Sequence, residues 1–261
     1  MKLEKDTKDN FFVVALEPGA ENPSLPAWGN TEPNPVRFSE IYDSGQVERH
    51  ELTQVPGAFQ LFNVLSKAEC ESLIAISEQL GFLPDAPVSL PRSVRHNDSL
   101  TWIVDEQTDG TIWQRIEHLM DDRQGIFGGD KAVGINARFR FYRYGQDDFF
   151  KPHSDGAWPG SRIIDNELIV NAFPDRYSQM TLLIFLSEDF QGGATRFLVN
   201  ANEPSLPAKA GDAVVNVDVR TPAGSVLCFP HGMHPLHCIH SSVPITQGVK
   251  YIIRSDVLFT L

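Results

Sequence analysis

His153 and Asp155 stand two residues apart at the end of the stretch Y-G-Q-D-D-F-F-K-P-H-S-D, residues 144–155. The run reads as extended backbone, in which side chains two apart leave the same face. Their Cα atoms are then about 6.6 Å apart. An imidazole and a carboxylate so placed can converge on one ion at bonds of about 2.1 Å. Two imidazoles and one carboxylate form the facial set that suits Fe(II) and leaves coordination sites open. The second imidazole must come from elsewhere. The segment F-P-H-G-M-H-P-L-H-C-I-H-S-S-V-P, residues 229–244, offers His231, His234, His237 and His240. An H-x-D pair alone equally describes a histidine hydrogen-bonded to a carboxylate at a strand end, so its surroundings decide what it means.

Those surroundings read as strand, turn, strand. From residue 137 onward strands are expected near 137–144, 149–155, 180–187, 194–199, 213–217, 225–229, 236–240 and 250–259, with turns at 145–147, 191–193, 209–212 and 222–224. Short strands with regular punctuation and no long helix between them predict a sandwich or jelly roll. Ahead of them, Ser66-Lys67-Ala68-Glu69 matches a capping box. Leu73, Ile74, Ile76 and Leu80 then space a helix that ends at Gly81. A second helix is expected after Asp109, carrying Ile112, Trp113, Ile116 and Leu119. Residues 17–35, rich in Pro, Gly and Asn, read as loop or arm. Extended pieces are expected at 36–42, 47–55 and 59–65. The fold class is therefore mainly β (α+β), with flanking N-terminal helices. Residues 1–58 form an arm and strands packed on the core, and residues 59–261 the β domain, as one structural unit.

Composition narrows the function. With 41% hydrophobic and 21% charged residues in 261, a sizeable core is expected and disorder is not. A net charge of −12 argues against general affinity for nucleic acid or anionic membrane. Cys70, Cys228 and Cys238 form no disulfide framework and no C-x-x-C pair, which points to a reducing compartment and away from a structural zinc. The apolar run 11–16 is too short for a signal peptide, and no segment reaches the ~18 apolar residues of a membrane span. A cytoplasmic protein is expected, with no membrane partner.

Taken in order, these motifs resemble the Fe(II)/2-oxoglutarate dioxygenases of the prolyl 4-hydroxylase type. That family carries H-x-D, a distal histidine, and a lysine on the strand that follows. Here His240 and Lys250 stand ten apart in I-H-S-S-V-P-I-T-Q-G-V-K-Y. Upstream, Q-G-G-A-T-R-F resembles the family's G-G-x-T-x-F segment. The resemblance spans roughly residues 55–259 and implies a double-stranded β-helix. It implies His153, Asp155 and His240 as the catalytic Fe(II) ligands, His240 being the histidine that keeps the spacing to Lys250. Lys250 would hold the C5 carboxylate of 2-oxoglutarate by a charge-assisted bond. Arg254, four residues on and on the same face, would share that task or close the pocket. Tyr144 matches a position whose hydroxyl touches the cosubstrate, although it also suits a core, and Thr181 matches a pocket-facing position in the cosubstrate site. Phe185 departs from relatives that carry a tyrosine there.

The implied reaction consumes O₂ and 2-oxoglutarate, releases succinate and CO₂, and hydroxylates a C–H bond, with ascorbate as a supporting reductant. A carboxylate at 155 favours hydroxylation over halogenation. Residues 156–179 form a long insertion beside the metal ligands, where Trp158 and Arg162 are candidates for substrate contact; plain loop packing is the alternative. Residues 91–99 form a second wall, in which Arg92 and Arg95 suit an anionic substrate or surface salt bridges. A peptidyl prolyl residue, another protein side chain and a small metabolite all satisfy these features. Two other readings are a non-catalytic binding or sensor protein on the same fold and a nucleic-acid demethylase. The matched lysine counts against the first and the acidic charge against the second.

Overall fold

The computed structural model describes residues 7–39, 42–87, 90–209 and 211–261. The expected pieces at 36–42 and 209–212 therefore fall partly outside the described residues. Among the described residues eleven strands form one sheet and five a second. At the centre of the large sheet, Lys250–Thr260 runs antiparallel to Arg138–Tyr144 on one side and Arg176–Phe185 on the other. Val226–Pro230 and Phe59–Phe62 extend the sheet beyond Arg176–Phe185. The smaller sheet orders Val214–Val219, Thr195–Asn200, His240–Ser242, Phe149–His153 and Arg95–His96.

Period-two alternation divides the large sheet cleanly between two cores. Phe139, Phe141, Leu182, Ile184, Val226, Cys228 and Ile253 face one apolar cluster, which Leu73, Ile76, Ile112 and Ile116 of the helices complete. Their neighbours Tyr142, Tyr144, Leu183, Phe185, Leu227, Phe229 and Ile252 face a second cluster, met by Phe150, Phe197, Val199 and Val219 of the smaller sheet. Helices thus cover the outer face, and the two sheets enclose the inner one. This is the mainly β jelly roll with flanking helices that the strand punctuation predicts.

The helix Lys67–Leu80 begins with the expected capping box at Ser66 and Glu69, and Gly81 ends it at φ +94°. Glu69 also takes two hydrogen bonds from Arg115 of the second helix, at 2.7 and 2.9 Å. Burial alone would raise this carboxyl, but the Arg115 contact and the backbone donors outweigh it and bring it down to about 2. One side chain therefore caps one helix and clamps it to the other.

Several expectations need correction. The second helix is Glu106–Ile116, starting before Asp109, because Asp105 caps it by accepting from the amides of Gln107 and Thr108. The stretch 17–35 is not all loop. Leu25–Asn30 is a strand that pairs in parallel with Asp98–Ile103, a strand the sequence reading also missed. Leu25, Ala27 and Trp28 are buried there, so packing overrides the Pro- and Gly-rich composition around them. The insertion 156–179 carries its own ribbon, Arg162–Ile164 paired with Glu167–Ile169. Residues 236–239 are turn and irregular chain, and the expected strand begins only at His240. Cys70, Cys228 and Cys238 are free and buried. Among the described residues no helix is long and apolar enough to cross a membrane.

Candidate metal centre and its pocket

The smaller sheet brings the H-x-D pair to a distal histidine through backbone pairing. His153 ends the strand Phe149–His153, and its registered partner across the sheet is His240. Their ring centroids are 4.3 Å apart. The ligand atoms of His153, Asp155 and His240 all lie within 4.8 Å of one another. His231, His234 and His237 do not join this set.

The hydrogen bonds around the two rings fix which nitrogen faces inward. A carbonyl oxygen only accepts, so His153 Nδ1–H donates to Lys151 O at 2.8 Å and His240 Nδ1–H donates to Cys238 O at 3.3 Å. Each ring then keeps an Nε2 lone pair. Those atoms face Asp155, His153 Nε2 at 3.8 Å from Oδ1 and His240 Nε2 at 3.7 Å from Oδ2. Backbone-anchored Nδ1 atoms with free Nε2 atoms are the usual arrangement of metal-binding histidines. Burial pushes His153 down to about 3 and also lowers His240, so both rings stay neutral and able to donate a lone pair. Burial would raise Asp155, yet the Arg254 guanidinium beside it holds its carboxyl well below the usual range. Two neutral imidazoles and one ionised carboxylate on one wall are a donor set that fits Fe(II).

The pocket beside these three is lined by Tyr142, Tyr144, Phe150, Thr195, Lys250 and Arg254. Lys250 is 1% exposed. It is the cross-strand partner of Tyr144, and its ammonium lies 5.3 Å from that ring and 5.5 Å from Phe185. Its hydrogen bonds go to Gly193 O at 2.7 Å and Ser242 Oγ at 3.4 Å. Among the described residues no carboxylate pairs with it, and burial pushes the amine down to about 7. A buried amine without a counter-anion is costly, and an anionic ligand in the pocket would relieve it. Burial likewise pushes the Tyr144 phenol up.

The remaining predicted residues are placed differently from one another. Thr181 Oγ1 donates to Asp155 Oδ2 at 2.7 Å, so its hydroxyl is committed to the metal wall. Arg254 lies between two carboxylates, with Nε 3.5 Å from Asp155 Oδ2 and Nη2 2.9 Å from Asp256 Oδ1. Arg95 is buried over the rings of Tyr142 and Phe150, at 4.5 and 5.3 Å, and donates through Nε to Asn97. Trp158 lies over the buried Arg140 guanidinium at 4.5 Å. Arg162 makes two hydrogen bonds to Asp109, at 2.9 and 2.8 Å, which tie the insertion to the second helix. Arg92 donates to the carbonyls of Pro84 and Asn97. His234 is fastened between Ile126 O and the amide of Leu236. The sequence reading missed Arg140 and Asp256, buried charges linked to Asp155 through Arg254. Their signal was present, since residues 140 and 144, and 254 and 256, keep even spacing along two inner-facing strands.

No protein-family model and no curated protein matches the sequence. Among solved structures, the fold is that of a prolyl hydroxylase from Trichoplax adhaerens, solved with a hypoxia inducible factor oxygen degradation domain peptide. The two share 16% identity at a TM-score of 0.50, over 77% of this chain and 83% of that one. A prolyl-4-hydroxylase from Pseudomonas putida matches at 18% identity and TM-score 0.48, over 77% and 92%. A viral collagen prolyl hydroxylase from Paramecium Bursaria Chlorella virus-1, solved with 2OG, matches at 15% and 0.48, over 81% and 100%. At these identities the likeness is one of fold.

Proposed function

We propose that the protein is an Fe(II)- and 2-oxoglutarate-dependent dioxygenase that hydroxylates a peptidyl residue of prolyl type or a small metabolite. The observation that carries this reading is the pairing, in one pocket, of a neutral His–Asp–neutral His wall with a buried lysine that lacks a counter-anion. His153, Asp155 and His240 would hold the metal, and Lys250 would hold the distal carboxylate of the cosubstrate. When bound, the metal supplies the redox chemistry that couples O₂ to 2-oxoglutarate decarboxylation. The chain keeps both imidazoles unprotonated, holds Asp155 ionised against Arg254, and lines the cavity with Tyr142, Phe150 and Ile252, which exclude water from the reacting C–H bond. Tyr144 stands beside Lys250 as a wall of the cosubstrate site, and Trp158 and Arg95 flank the substrate side. A peptide substrate is supported by the peptide bound to the Trichoplax adhaerens structure. The buried free thiols support a reducing, cytoplasmic setting.

The test is succinate release from 2-oxoglutarate with added Fe(II), coupled to a peptide and metabolite screen for a mass gain of one oxygen. His153→Ala and His240→Ala are expected to abolish succinate release, while His237→Ala retains it. A wild-type protein that binds 2-oxoglutarate but yields no succinate with or without substrate would instead support a sensor.

A further inference from the structure

Asp155 is tied to the segment that follows it by a run of hydrogen bonds through the barrel wall. The backbone N–H of Trp158 donates to Ser178 Oγ at 2.7 Å. Ser178 Oγ lies 2.9 Å from His231 Nε2, and His231 Nδ1 lies 2.9 Å from Thr181 Oγ1. Thr181 then donates to Asp155 Oδ2. The directions follow from proton count. Thr181 has a single hydroxyl proton and an ionised carboxylate can only accept, so that proton goes to Asp155. Thr181 therefore accepts from His231 Nδ1–H. A neutral ring leaves Nε2 as acceptor, and Ser178, which already accepts from Trp158, donates to it. Ser178, His231 and Thr181 are buried, and every donor points the same way.

A backbone irregularity makes this possible. Ser178 and Thr181 are three apart, and in a regular strand they would face opposite sides. Between Ser178 and Met180 the register against the central strand advances by one partner instead of two, from Leu258 to Val257. Such a bulge at Gln179 resets the alternation, as bulges beside functional sites do, and brings both hydroxyls to His231. A second, ionic route joins the same ends. The Trp158 ring covers Arg140, whose Nη1 is 3.9 Å from Asp256 Oδ2. Asp256 pairs with Arg254, which faces the same Asp155 oxygen. Asp155 Oδ1, which takes no hydrogen bond from the described residues, is left toward His153.

We propose that His231 is a positioning residue that bridges Ser178 to Thr181, fixes the rotamer of Asp155, and so sets the carboxylate ligand and the 156–158 segment together. This rests on the metal-centre reading above. Co(II), a spectroscopically visible stand-in for Fe(II), is titrated into the purified full chain. Thr181→Val and His231→Leu are each expected to weaken Co(II) binding by about 10- to 100-fold and to alter its visible spectrum; Ser178→Ala should do so less. Because the two residues act in series, the Thr181→Val/His231→Leu pair should lose no more than Thr181→Val alone. His231→Asn, which keeps an N–H near the Nδ1 position, should restore most of the affinity. Wild-type affinity and spectrum in Thr181→Val, or losses that multiply in the double variant, would overturn the proposal. Thr181→Val is close to isosteric and carries the test even if His231→Leu does not fold. Failure of the wild-type chain to bind Co(II) would instead remove the metal centre itself.

Discussion

On its outer face the strand Lys250–Thr260 sends Ile253, Val257 and Phe259 into the apolar layer beneath the helices, whereas its inner face carries Lys250, Arg254 and Asp256. Both faces are buried, but they are buried for opposite ends. The outer layer gains from removing apolar surface from water, at about 25 cal/mol per Å². The inner one places charges where desolvation opposes them. Arg254 and Asp256 answer that cost by pairing, and Lys250 does not. Stability is thus supplied from outside the barrel and is drawn on inside it.

The contrast is tested most severely at the metal wall. His240→Ala should lower Co(II) affinity by more than about 100-fold and reduce succinate release to background, while circular dichroism stays that of the wild type. An unfolded variant would show that the inner face also carries the fold. On the other face, Ile253→Ala should cost about 2–5 kcal/mol in denaturant unfolding, through lost burial and a residual cavity. The folded fraction of that variant should keep its metal affinity; a metal defect there would blur the division.

Lys250 sharpens the comparison because its effect changes sign with ligand. Loss of its charged hydrogen bond in Lys250→Met should weaken 2-oxoglutarate binding by about 1.5–3 kcal/mol, read by titration. Without ligand, the folded amine loses its proton near about 7, against the ordinary value of 10.5. Between those values the unfolded chain holds more protons, so stability rises with pH across that window. Lys250→Met should remove this rise, seen as a flatter dependence of the unfolding midpoint on pH. A wild-type protein whose stability falls over that range would contradict the buried, unpaired amine. The smallest effect is expected from Ser66→Ala, about 1 kcal/mol from the lost helix cap, with no change at the pocket.

Much of the fold was legible because it is written in local periods. The alternation of Phe139, Phe141 against Tyr142, Tyr144 and the capping box at Ser66 are each encoded within a few residues. The strand Leu25–Asn30 was not, since Pro26 and Gly29 within it speak for a loop and its ladders come from Phe11–Glu17 and from its parallel partner Asp98–Ile103. At the site, the closeness of Arg162 to Asp109 could not be read from either segment alone. The meeting of Ser178 and Thr181 at His231 depends on one inserted residue in a ladder, which leaves no compositional trace.

By itself the sequence singled out the His153 and Asp155 pair, although the expected strand 149–155 ends at His153. It also settled that Lys250 and Arg254 share a face and that a chain so punctuated closes into a β sandwich, because strand geometry repeats every two residues. The spacing of His240 to Lys250 had already singled out one of four histidines, whereas tertiary structure alone decided which hydroxyl and guanidinium hold the carboxylate. Those outcomes depend on the register between strands dozens of residues apart, and a single bulge is enough to turn a side chain from one face to the other.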